Sequence, residues 1–416
     1  MPPVQEASSR REKRVALVLS GGGARGAYEA GVLAHLFEHV IPRLRPDFSF
    51  DIVSGTSVGA IHAAYTAATS DVAPAERAAR LGRTWTSMRI GDVFRLSSAD
   101  LLRVPLRAMG LTRFEGSSSE VFGGLVDVSP LEQMVARAVP WQQLAGNLAR
   151  QQPGALCVSC TEVRSGKVTV FMDGPDANPE PWSFDPNAQA IPAAVRELHV
   201  RASAAIPFLF PAVRIENRYY VDGGLRMNTP LSPALRLGAD RVLVVALKHS
   251  PETPGDHPPY PEEVITQPAF LLGKVLDALT LDQLEYELHR IGLVNALIER
   301  GEHVYGHDFL AAINVAIREQ RGVGFRSVRT CVVRPSADVG RVAADCHRKS
   351  GGLRALGVLP ELVARAALRG VPEEEADLLS YLYFDRCFTT RLVELGREDA
   401  RRAEDDICEL LEGGDG

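Results

Sequence analysis

The chain has no run of the ~20 apolar residues that a helix needs to cross a bilayer, so no membrane span is expected in its 416 residues. It also has no apolar stretch near its start. The opening segment MPPVQEASSRREKR is polar and basic and cannot serve as the core of a secretory signal. The expected location is cytoplasmic, with export by a signal-independent route left open. Cysteine is scarce: Cys157, Cys160, Cys331, Cys346, Cys387 and Cys408 are scattered along the chain, outline no disulfide framework and are expected to be reduced. There is no surplus of positive charge. Lys and Arg number 46 against 52 Asp and Glu, a net charge of -6 that argues against a dedicated nucleic-acid binder. Internal repeats are absent.

What is present is a globular chain with 45% hydrophobic residues, enough to bury a large core. Residues 1–13 read as a solvated basic tail. From Arg14 strands and helices alternate: strand Val15–Leu19, helix Ala27–His39, strand Phe48–Val53, and a helix opening at Val58. This alternation predicts an α/β fold with a mostly parallel central sheet flanked by helices on both faces. Residues 88–124 read as an irregular insertion or flap. Further strands are expected at Ala155–Thr161, Lys167–Met172, Val213–Val221 and Arg241–Ala246, followed by a Pro-rich loop from His249 to Glu263. Leu281, Leu284, Leu288, Ile291 and Leu297 suggest a helical core stripe within an insertion at about 264–320. A late strand in SVRTCVV would then complete the sheet, making 14–340 one domain. Residues 341–416 read as a helical, charged C-terminal extension.

The first chemical signal is the loop Gly21-Gly22-Gly23-Ala24-Arg25-Gly26, which lies between a strand and a helix. Glycines permit a sharp turn there, and free N–H groups at a helix start attract negative charge, whether a phosphate or an oxyanion. The loop alone does not decide between them. The second signal is Gly55-Thr56-Ser57-Val58-Gly59, a G-x-S-x-G at the next strand end, where a tight turn lifts a serine hydroxyl clear of the sheet and leaves the Val58 N–H at a helix N-terminus. Both turns should open on one edge of the sheet. A dinucleotide site would instead want an acidic residue at the end of the second strand. Asp51 falls inside the predicted strand, and the strand's end is taken by the serine turn. The third signal is Asp222-Gly223-Gly224, at the end of a strand and downstream of ASAAIP at Ala202–Pro207.

Taken in order, these segments resemble the patatin-like phospholipase family over about residues 14–247. The resemblance implies a lipid acyl hydrolase of phospholipase A or lysophospholipase type. Ser57 would be the nucleophile and Asp222 the base, Gly21, Gly22, Gly23 and Arg25 would form the oxyanion loop with Val58, and no metal or cofactor would be needed. Gly26, Gly55, Gly59, Gly223 and Gly224 support the turns; Gly224 stands where many members have Ala. The implied partner is a lipid met by peripheral membrane contact, with residues 88–124 or Ala269–Leu279 as docking elements. No nucleic acid is implied, and protein partners are not indicated.

Each signal has a plainer reading. Asp-Gly is a common turn, and Arg25 could serve as a local ion-pair or capping residue. Cys157-Val158-Ser159-Cys160 is a C-x-x-C, but its cysteines alternate across a strand and no second pair completes a zinc site. His62 is expected to point away from Ser57 as a core or surface residue. The rival functional reading is a catalytically idle lipid-binding or interaction protein of the same fold.

Overall fold

The structure is a computed structural model that describes residues 13–45, 48–95, 121–122, 126–207, 209–249, 284–350 and 377–413. Its elements run β1 Val15–Leu19, α1 Gly26–His35, β2 Ile52–Thr56, α2 Val58–Ala68, α3 Pro74–Ser87, β3 Val121–Phe122, α4 Ser129–Ala138, α5 Trp141–Ala149, β4 Ala155–Glu162, β5 Val168–Asp173, β6 Ala188–Pro192 and α6 Glu197–Ser203. They continue with β7 Ala212–Ile215, β8 Arg218–Asp222, α7 Leu231–Arg236, β9 Arg241–Val245, α8 Leu284–Tyr305, α9 Phe309–Arg321, β10 Arg329–Val333, α10 Val339–Ser350, α11 Asp377–Leu382, α12 Arg386–Arg402 and α13 Glu404–Glu412.

One sheet of order β10-β9-β1-β2-β4-β8-β7-β3 organises the chain, with β5 and β6 branching from β4. The strands from β10 to β4 pair in parallel. Beyond them β8, β7 and β3 run antiparallel. Helices cover both faces, so the inner strands are apolar on both sides. In β1, Val15, Leu17 and Leu19 enter one core with α1, α2 and α12, while Ala16 and Val18 enter the other with α7. The late strand β10 does pair beside β9.

Several sequence expectations shift. The second strand is Ile52–Thr56, not Phe48–Val53. Phe48 and Phe50 are apolar because they pack edge to face in the core, ring centroids 5.3 Å apart, and Asp51 just precedes the strand, its carboxylate accepting the Val15 N–H at 2.7 Å. The expected strand Val213–Val221 is a hairpin, β7 and β8, with Glu216 at φ 53 in the turn. On α8, Leu284 is buried but Leu297 is 66% exposed. Stepping by three or four from Ile291 reaches Asn295 and buried Ile298 instead. Cys346 on α10 and Cys387 on α12 form a disulfide, Cα atoms 5.9 Å apart, contrary to the expectation of reduced thiols throughout. Their spacing in the chain gives no hint that the two helices abut. Cys157 and Cys160 do face opposite cores. Most of the 88–124 flap, all of Ala269–Leu279 and Leu281 lie outside the described residues. Among the described residues no helix is long and apolar enough to cross a membrane.

Candidate active site

Ser57 sits between the C-terminal end of β2 and the first turn of α2. Its backbone is at φ 56, ψ -123, a conformation rare for any residue with a Cβ and costing ~1–3 kcal/mol unless its surroundings enforce it. The surroundings are the two flanking glycines. A Cβ on Gly55 would collide with the Gly59 carbonyl, and one on Gly59 with the Leu19 carbonyl at the end of β1. The turn therefore closes only with glycine at both positions, as the G-x-S-x-G spacing implies. Two further residues hold the serine, Ser203 from the ASAAIP segment and Ser159 from β4. Ser203 Oγ accepts the Ser57 N–H at 2.9 Å and donates to the Ser159 carbonyl at 2.6 Å, tying α6 and β4 to the turn.

Asp222 ends β8 and is buried. Its Oδ2 accepts the Ser57 hydroxyl at 2.6 Å and its Oδ1 accepts the Gly224 N–H at 2.7 Å. Burial raises the carboxyl pKa from 3.8 to about 6, against the two hydrogen bonds, which lower it. The desolvated carboxylate is thus a stronger base than an ordinary aspartate. The Thr161 hydroxyl donates to the Asp222 carbonyl at 3.0 Å and fixes the end of the strand.

The glycine loop lies at the end of β1, beside β2, so both turns open on one sheet edge. The Gly21 N–H is committed to the Asn228 carbonyl at 2.9 Å, and the Asn228 amide donates back to the Gly21 carbonyl at 3.2 Å. Gly21 therefore anchors the loop and is not one of its donors. Among the described residues no acceptor meets the N–H of Gly22, Gly23 or Val58, which leaves these three for an incoming anion. The Arg25 side chain runs to the C-terminal elements, Nε donating to Ser380 Oγ at 2.7 Å. Ser203 lies in the ASAAIP segment, but nothing in the sequence assigned it a role, and nothing signalled Asn228 or Ser380, because each acts through a contact distant in the chain.

Gly23, Ser57 and Val58 face a cleft with about 700 Å³ of atom-free space, its open mouth included, whose walls are mostly apolar, among them Ile61, Leu131, Met134, Phe210 and Phe384. His62 lies in one wall, but its ring is spoken for. The Trp85 indole N–H, a donor only, bonds Nε2 at 2.8 Å, so Nδ1 carries the ring proton and donates to Glu29 Oε1 at 2.5 Å. His199 Nδ1 accepts the Arg196 N–H at 3.0 Å, and burial, then the Arg196 charge, push its pKa down to about 4. The His249 ring bonds the Pro335 carbonyl at 2.8 Å. None of these rings bonds Ser57.

A relative, the lysophospholipase nte1 of Aspergillus terreus (strain NIH 2624 / FGSC A1156), is 41% identical over 78 residues, 18% of this chain and 5% of that protein. The chain thus matches only a small part of that relative's length. Among solved structures, VipD from Legionella pneumophila is similar over 91% of this chain and 92% of its own, at a TM-score of 0.32 and 13% identity. That likeness is too loose to carry an argument. The family model described as patatin-like phospholipase matches residues 17–235, more than half of the chain and the stretch that holds the glycine loop, Ser57 and Asp222. The chain belongs to the patatin-like phospholipase family.

Proposed function

We propose that this protein is a serine acyl hydrolase that cleaves carboxylic ester bonds of phospholipids or lysophospholipids through a Ser57–Asp222 dyad. The observation that carries this reading is the 2.6 Å bond from the Ser57 hydroxyl to Asp222, made at a strained turn that opens on an apolar cleft. As Ser57 Oγ attacks the ester carbonyl, its proton passes to Asp222, and the oxyanion that forms is met by the N–H groups of Gly22, Gly23 and Val58. Collapse expels the alcohol, which takes the proton from Asp222, and leaves an acyl-serine. Water then attacks the acyl-serine, yielding a proton to Asp222, and as this second intermediate collapses Asp222 returns that proton to Ser57 Oγ, which releases the fatty acid and free Ser57. The apolar walls suit an acyl chain.

Contact with the lipid surface is peripheral in this reading. The net charge of -6 draws nothing from anionic lipid, so apolar docking has to supply the attachment. Incubating wild type and Ser57→Ala with mixed lipids, read by lipidomics, tests the proposal. Wild type should release free fatty acid from one or more ester classes and Ser57→Ala should not; equal release by both would contradict it.

A further inference from the structure

The elements after residue 377 carry no motif and lie outside the residues matched by the family, yet they reach the candidate site. α11 ends against the glycine loop. Arg25 and Ser380 are both buried, 4% and 0% exposed, and bond at 2.7 Å. The Arg25 guanidinium lies over the Tyr381 ring, 4.1 Å from its centroid, a cation–π contact. The Tyr381 carbonyl sits on Gly23, so close that a Cβ there would collide with it. Three residues on, the Phe384 ring stacks with Trp85 at a centroid distance of 6.4 Å, and both line the cleft that holds Ser57.

The segment is itself well held. α12 crosses α1, the helix that begins at the loop, so closely that Gly31 meets the Val393 carbonyl and Gly396 the Tyr28 carbonyl with no room for side chains. The disulfide from Cys346 to Cys387 ties the start of α12 to α10. A loop of four glycines, one of them at φ 56, has many backbone states open to it. Donors that stabilise an oxyanion act only when they are fixed before the reaction. Asn228 fixes the loop at Gly21, and the contacts that restrain its other end, at Gly23 and Arg25, come from Tyr381 and Ser380.

We propose that Ser380 and Tyr381 are positioning residues that hold Arg25 and Gly23 so that the loop's N–H donors are preset, and that Phe384 is a specificity-determining residue in the wall of the acyl cleft. This rests on the hydrolase reading above. The C-terminal elements are then a working part of the site, supplied by sequence that the family pattern does not include.

The test is steady-state kinetics on p-nitrophenyl esters of graded chain length, with melting temperature and fluorophosphonate labelling of Ser57 measured in parallel on the full chain. Ser380→Ala should lower kcat by about tenfold or more, since partial loss of a donor falls short of the ~10²–10³ for complete loss, while KM and melting temperature change little. In an Arg25→Ala background, Ser380→Ala should add no further loss, because its effect passes through that side chain. Tyr381→Phe keeps the ring and should keep the rate, whereas Tyr381→Leu should lose it; this pair carries the test if Ser380→Ala does not fold. Phe384→Ala should lower the ratio of kcat/KM for a hexadecanoyl over a butanoyl ester by about tenfold, as a long chain loses apolar contact that a short one lacks, and Ser380→Ala should leave that ratio unchanged. Folded Ser380→Ala and Tyr381→Leu proteins with wild-type kcat, or losses that add fully to that of Arg25→Ala, overturn the positioning role. An unchanged chain-length ratio in Phe384→Ala overturns the specificity role. If wild type neither turns over nor labels at Ser57, the hydrolase reading itself falls and takes this inference with it.

Discussion

Asp222→Asn should inactivate the protein and, at neutral pH, make it more stable. The substitution preserves shape: an amide oxygen can accept the Gly224 N–H, and the amide nitrogen can face Ser57 where Oδ2 accepts its hydroxyl now. What disappears is a buried negative charge. Burial lifts the native carboxyl pKa from the ordinary 3.8 to about 6, so the native state holds the proton more tightly than the unfolded chain. A raised native value means the stabilising contribution is whole below 3.8, declines as pH climbs, and is gone above about 6. The separation of these values corresponds to about 3 kcal/mol at pH 7.5. Urea unfolding of wild type and Asp222→Asn, compared at pH 4 and at pH 7.5, reads it directly. About 0.6 kcal/mol of this is already present at pH 4, so the advantage of the variant over wild type should grow by roughly 2.4 kcal/mol between those conditions. An advantage that stays constant, or one that shrinks as pH rises, would refute the argument that Asp222 is a desolvated base held at the cost of stability.

The same carboxyl sets the acid side of the rate profile: kcat/KM should fall tenfold per pH unit below about 6, and a profile flat to pH 4.5 would remove Asp222 as the base. Gly23→Ala puts a side chain at φ 56 against the Tyr381 carbonyl. It should lower kcat by ~10²-fold with KM less affected, as steady-state kinetics on a soluble ester will show. His62→Gln should cost stability, about 1–3 kcal/mol for disturbing the buried bonds to Glu29 and Trp85, while kcat per folded molecule stays within a few fold. A collapse of kcat with the melting temperature intact would instead make His62 part of the chemistry.

How much could be read in advance depended on whether a residue answers to its own backbone or to a distant partner. Gly55, Ser57 and Gly59 were legible because a tight turn constrains its own neighbours, and the alternating apolar runs gave the parallel strands because strands buried on both faces leave little other choice. The glycine loop was legible as a turn, but not which of its N–H groups were taken. Gly21 loses its donor to Asn228, 207 positions along the chain. The role of Ser203, within ASAAIP, and Ser380 altogether were hidden for the same reason: a serine that bonds across the fold looks like any other. Leu297 misled because a stripe read by eye tolerates an error of one position, whereas a helix does not. Phe48 misled because apolar residues that fill a core outside the sheet have the composition of a strand.

The central claim is that Ser57 is the nucleophile and that Asp222 activates it without a histidine. Time-resolved labelling with a fluorophosphonate, mapped by peptide mass spectrometry, tests it most directly. The account predicts a single adduct on the peptide containing Ser57, absent in Ser57→Ala, slowed by orders of magnitude in Asp222→Asn, and formed at near wild-type rate in folded His62→Gln, His199→Gln and His249→Gln proteins. An adduct elsewhere, or a folded histidine variant as slow as Asp222→Asn, would contradict it.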